Sequence, residues 1–140
     1  MTEQDPYQPN PGETLLFENE RVRVWSMTVE PGDAGLWHSH QHDHVLIWPW
    51  DGKSKGQQWG EDEPTMTQIA QESFVVFKAV GEGGLHPHRL HNVDVGTKTH
   101  FIVELLEPSP FKEEAPYVHN GRGESFLDAD REAGTGIGDQ

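Results

Sequence analysis

Between residues 14 and 106 the apolar runs are all short, and glycine or proline closes nearly every one. "ERVRVWSMTV" runs into Glu30-Pro31-Gly32, "VLIW" into Pro49, "SFVVFKAV" into "GEGG" and "THFIVELL" into Glu107-Pro108. Runs of this length are strands rather than helices, because a helix needs about ten or more residues to repeat its apolar stripe. In the first run Trp25, Met27 and Val29 alternate with Val24, Ser26 and Thr28, the two-residue period of a strand. Strands are expected over 21–29, 45–48, 73–80 and 99–106, with a weak one at "MTQIA" and a short one in "PHRLHNVD". Residues 51–64, "DGKSKGQQWGEDEP", read as a polar loop. About seven or eight short strands with regular turn signals describe a sandwich or barrel. No internal repeat is present, and 140 residues suit one core.

The flanks differ from this body. Residues 1–13 carry three prolines and read as an N-terminal arm, with the barrel over 14–106. Residues 107–140 hold eight acids against three bases and read as an acidic extension of loop, with one turn of helix around "FLDADREA". The net charge of −14 repels nucleic-acid backbones and anionic membrane surfaces, so neither is expected as a partner. No apolar run reaches a membrane-spanning length and no secretory signal is visible, which makes a cytoplasmic location the expectation. Cysteine is absent, which removes disulfides and thiolate chemistry. "DGKSKG" is no phosphate loop, because Ile47 stands where the first glycine is needed.

The chemistry gathers in "GLWHSHQHDHVLIW", where His38, His40, His42 and His44 fall on alternate positions. On a strand, His38 and His40 project into one space, and imidazole nitrogens so placed chelate a divalent ion. A tight turn after His40 would bring His44 back from the next strand and leave His42 and Asp43 facing solvent. A further ligand would come from a distant strand, and "HPHRLHN" offers His86, His88 and His91. His91 is one residue off the parity of His88 and should face the other way.

These residues resemble the cupin superfamily. Its first motif reads Gly, five residues, His-x-His, three or four residues, Glu, six residues, Gly. Gly32 is followed by five residues, then His38-Ser39-His40. His44 stands where the family usually has Glu, and Gly52 closes the motif one residue late. The second motif ends in His, three residues, Asn, matched by His88 and Asn92 without the usual preceding Pro-x-Gly. The resemblance covers roughly 14–106. It implies an all-β double-stranded β-helix, a jelly-roll barrel, with a metal held by His38, His40, His44 and His88 and with His86 as the alternative to His88. It also implies a homodimer, as in many cupins.

A four-imidazole set leaves the metal's charge uncompensated, so an anionic or enolate ligand is favoured. Fe(II) or Mn(II) suits such a site, with Zn, Ni and Cu as alternatives. The expected function is a dioxygenase acting on a small enolisable or dicarbonyl substrate. A non-redox lyase, isomerase or decarboxylase is the second reading, and a small-ligand or metal-binding module the third. His100 and Glu104, both on one strand, are the candidate catalytic groups. Lys78 and Arg89 read first as surface ion-pair residues, and as candidates for a substrate carboxylate only if they point inward. The tryptophans around the motif read mainly as barrel packing, and His119 reads as incidental.

Overall fold

The structure, a computed structural model, describes residues 10–125 and the backbone of 134–135. The described residues form two sheets and no helix. The strands are β1 (Thr14–Glu18), β2 (Val22–Val29), β3 (His44–Trp48), β4 (Gly52–Gln58), β5 (Met66–Ala70), β6 (Phe74–Lys78), β7 (His88–Asn92), β8 (Lys98–Leu105), β9 (Val118–His119), β10 (Gly123–Glu124) and β11 (Gly134–Thr135). One sheet has the order β1-β2-β8-β3-β6-β9-β11, the other β10-β5-β4-β7. All neighbours are antiparallel except β9 and β11. Non-sequential neighbours such as β2-β8-β3 make this the jelly roll that the sequence implied. Among the described residues no helix is long and apolar enough to cross a membrane.

Alternation builds the core. Trp25, Met27 and Val29 of β2 meet Ile102 of β8, and Trp48, Ala70, Phe74 and Val76 form a second cluster, with Leu46 packed against both. The inner face of the large sheet is thus apolar around these clusters and carries buried polar groups, His44, Lys78, His100 and Glu104, beside them.

Three sequence expectations change here. Residues 51–64 are not all loop, because β4 runs through them and sits centrally between β5 and β7. Its buried positions are Gly52, Ser54, Gly56 and Gln57, so no apolar alternation marks it. Small residues are needed there, since a Cβ on Gly52 would lie 3.2 Å from the Trp48 ring. Second, strands continue past Leu106. β9 pairs with β6 and β10 with β5, so part of the acidic extension belongs to the barrel wall. Third, the end of the N-terminal arm packs inside, with Pro11 and Gly12 buried. The arm's first nine residues, and the helical turn expected in "FLDADREA", lie outside the described residues.

Candidate metal centre

Residues 32–40 are extended and lie along the free edge of β7. Gly32 N–H donates to Asn92 O, Gly35 N–H to Leu90 O, and His38 and His88 exchange both backbone bonds at 3.0 and 2.9 Å. The pairing is carried by single bridges, Ala34 to His91 and His38 to His88, rather than by a continuous ladder. This register sets His38 directly across from His88. Leu85 N–H donates to His40 O at 2.9 Å, which keeps the chain in register up to the turn. Residues 41–43 then reverse it, and His44 opens β3.

The rings converge inside the barrel. Candidate ligand nitrogens of His38, His40 and His88 all lie within 4.8 Å of one another. Ring centroids are 4.9 Å apart for His38 and His40, 4.6 Å for His38 and His88, and 5.1 Å for His40 and His88. His44 stands against the face of His40, 3.9 Å away and only 13° from parallel. His86 is exposed, its Nε2 2.8 Å from Trp59 O, and it stays out of the group.

Backbone carbonyls orient three of these imidazoles. Nδ1 of His38 lies 2.9 Å from Leu36 O, that of His44 2.9 Å from His42 O, and that of His88 3.1 Å from His86 O. A carbonyl only accepts, so each Nδ1 carries the proton and each Nε2 keeps its lone pair for the interior. The carbonyl belongs in every case to the residue two before, a local geometry of extended chain. His40 differs, because its Nδ1 is buried with no hydrogen-bond partner. A buried nitrogen without a partner is costly unless something bonds to it. The donor set and this orphaned atom fit a divalent ion held by imidazoles.

The cavity is small and its rings are neutral. About 40 Å³ is enclosed by the four imidazoles, His100, Met27, Leu46, Trp48, Gln68, Ile102, Tyr117 and their neighbours. Burial, reinforced by His88, pushes His38 down to about 3. Burial holds His44 near 4 despite its bond to the His42 carbonyl, and lowers His40 and His88 in the same direction. Neutral imidazole is the form that ligates.

The two candidate catalytic groups part company. His100 lines the cavity, stacks on Trp48 at 4.4 Å, and is pushed by burial to about 4. Glu104 is 1% exposed, but its carboxylate accepts from Trp25 Nε1 at 2.6 Å and lies 3.7 Å from Arg23 Nη1. It shares the inward parity of His100 and Ile102 but is taken up by Trp25 and Arg23 and is not among the residues lining the cavity.

Other expectations also change. Asp43 is buried rather than solvent-facing, accepting from Val80 N–H at 2.7 Å and Ser109 Oγ at 2.7 Å. His119 is not incidental, since it is buried in β9 with its ring against Phe74. Lys78 is no surface residue, being 1% exposed. His91 shares the outer face of β7 with Arg89, its Nε2 2.7 Å from Gln57 Oε1. Arg89 lies over the Trp37 ring, and Trp37 meets Trp59 edge-on. Gln68 and Tyr117 line the cavity and were not anticipated. Gln68 carries the inward parity of β5, a usable signal, whereas nothing in the chain's acidic end marks Tyr117.

Comparison with solved structures finds the same fold elsewhere. A crystal structure of a cupin domain from Bordetella pertussis Tohama I superposes with a TM-score of 0.53 at 20% identity, covering 70% of this chain and 95% of that one. The two share a fold. No family model matches the sequence, and no curated protein does.

Proposed function

We propose that this cupin-fold chain is a divalent-metal enzyme, and specifically a dioxygenase acting on a small enolisable or dicarbonyl compound with Fe(II) or Mn(II). The observation that carries the reading is the convergence of His38, His40 and His88, with ligand nitrogens within 4.8 Å inside a buried cavity. His44, stacked on His40, is the proposed fourth ligand. A bound ion would supply Lewis-acid polarisation of substrate oxygens and, with iron or manganese, electron transfer towards dioxygen.

The chain's own residues do the rest. The carbonyls of Leu36, His42 and His86 fix ring orientation before any ion arrives. With no carboxylate in the group, an enolate oxygen is the natural charge partner. Met27, Leu46, Trp48 and Ile102 keep water out and the local dielectric low. His100, at the wall and held near 4 by burial, is a weak base suited to orienting a substrate by a hydrogen bond.

The test begins with metal analysis of untagged protein, expected to find one divalent ion per chain. Fe(II)-loaded protein is then given pentane-2,4-dione, a simple 1,3-dicarbonyl, in an oxygen electrode. Oxygen uptake matched by carbon–carbon cleavage, one oxygen atom entering each fragment, supports the dioxygenase. Product formed without dioxygen, or with Zn(II), rejects it in favour of the non-redox reading. The position of His100 is what makes that second reading chemically reasonable. Absence of stoichiometric metal rejects both and leaves a binding module.

A further inference from the structure

A second cavity adjoins the first. It encloses about 130 Å³, with Gln58, Met66, Lys78, His86, Glu114 and Tyr117 among the residues around it. That is room for about four waters, or for one small organic molecule. His88 and Tyr117 line both cavities and stand between them. His86 and Glu114 are exposed, so this outer cavity opens to solvent.

Its distinctive group is Lys78. In β6 the parity that buries Phe74 and Val76 also carries the Lys78 side chain inward. A buried ammonium is costly unless hydrogen-bonded and compensated in charge. Its Nζ donates to Ala115 O at 2.6 Å, lies 2.8 Å from Glu114 Oε2, and sits 4.6 Å from the centre of the Tyr117 ring. All three partners come from residues 114–117. The only carboxylate within ion-pairing distance among the described residues is Glu114, whose side chain is 60% exposed. Glu114 regains solvent on leaving, but the buried ammonium then needs another anion in its place.

We propose that the outer cavity seats a small carboxylate, which replaces Glu114 on Lys78 while its other end faces His88 and the imidazole centre. Glu114 is then a built-in competitor that holds the cation satisfied until the ligand arrives. One ammonium suits a single carboxylate better than a multiply charged anion, and the surrounding net charge of −14 opposes the latter. Burial holds the Tyr117 phenol protonated, its pKa pushed up to about 12, so the wall adds no anion to repel the ligand. The inference rests on the metal reading for the ligand's far end, whereas the Lys78 contact stands on this chain's residues alone. Among enolisable or carbonyl compounds it favours those that also carry an acid group, with neutral pentane-2,4-dione a probe of the metal chemistry alone.

The experiment titrates pyruvate and its neutral counterpart pyruvamide calorimetrically into metal-free and Zn(II)-loaded protein. Glu114→Gln, which removes the competing charge, is expected to bind pyruvate about fivefold tighter than wild type in both forms. Lys78→Met, close in volume and without the ammonium, is expected to bind it at least about tenfold more weakly. Pyruvamide should bind weakly to all three proteins. Equal pyruvate affinity in wild type and Glu114→Gln overturns the proposal, as does full affinity in a folded Lys78→Met or equal binding of pyruvamide. Should Lys78→Met not fold, Glu114→Gln decides. Failure to take up metal, with these shifts intact, overturns only the metal reading.

Discussion

Acidification of the metal-free protein is a direct test of the buried imidazoles. Burial holds His38 near 3 and His44 and His100 near 4, whereas in the unfolded chain each titrates near 6.5. The unfolded state therefore binds more protons as pH falls below 6.5, and stability declines until the folded values are reached. The sign is opposite to that of a histidine stabilised by an anionic partner. Between about pH 6 and pH 5 each ring contributes a slope of about 1 kcal/mol per pH unit, so the three together give about 3 to 4. From about pH 7 to pH 5 the summed loss is about 5 kcal/mol, comparable with the whole stability of a small domain. His40 and His88 shift in the same direction and add to it. Most carboxylates titrate below this window, so the imidazoles dominate it.

The assay is urea unfolding of chelator-stripped protein at closely spaced pH values, followed by tryptophan fluorescence. Wild type is expected to lose most of its stability by about pH 5. His100→Gln removes one ring from the sum without touching the proposed ligands, and should lower the slope by about 1 kcal/mol per pH unit. A midpoint that stays level across the window, or a slope unchanged in His100→Gln, would refute the picture of neutral, desolvated rings.

Three further outcomes are expected. His40→Ala, which deletes the ring whose Nδ1 is buried without a partner, should weaken Zn(II) binding by more than about a hundredfold in a competition titration, and near-native affinity would remove it from the ligand set. Asp43→Ala leaves Val80 N–H and Ser109 Oγ without their acceptor and should cost about 2 kcal/mol in denaturant unfolding; a loss well under that would mean the turn re-forms without it. The edge strand β1 exposes Leu15, Leu16 and Phe17 at 44%, 51% and 53%, a surface that a homodimer paired along β1 would cover. Sedimentation equilibrium should give a dimer mass for wild type and a monomer for Leu16→Lys, and a monomeric wild type would reject that pairing.

Much of this protein was readable in one dimension. The two-residue period identified the strands that carry large apolar residues, β2, β6 and β8, because such strands must turn one face to the core. Alternation put His38 and His40 on one side of an extended chain, whereas His88 joined them only through the family resemblance, with His86 as its alternative. That resemblance rested on motif spacing and agrees with the fold. Among the described residues no helix forms, as expected where turn residues arrive before any helical repeat could complete.

Tertiary structure decided the rest, wherever the deciding partner is distant in sequence or the local pattern carries no apolar signal. β4 is central although its buried positions include Gly52, Ser54 and Gly56, small residues that look like loop; Gly52 leaves room for the Trp48 ring. β9 and β10 are two residues long, too short for any period, yet each extends an existing sheet. Asp43 and Lys78 read as surface residues and are buried, because segments 66 and 37 residues away supply Ser109, Val80, Ala115 and Glu114 as partners. Local spacing determines which side chains point inward; only the closure of two sheets determines what they meet there.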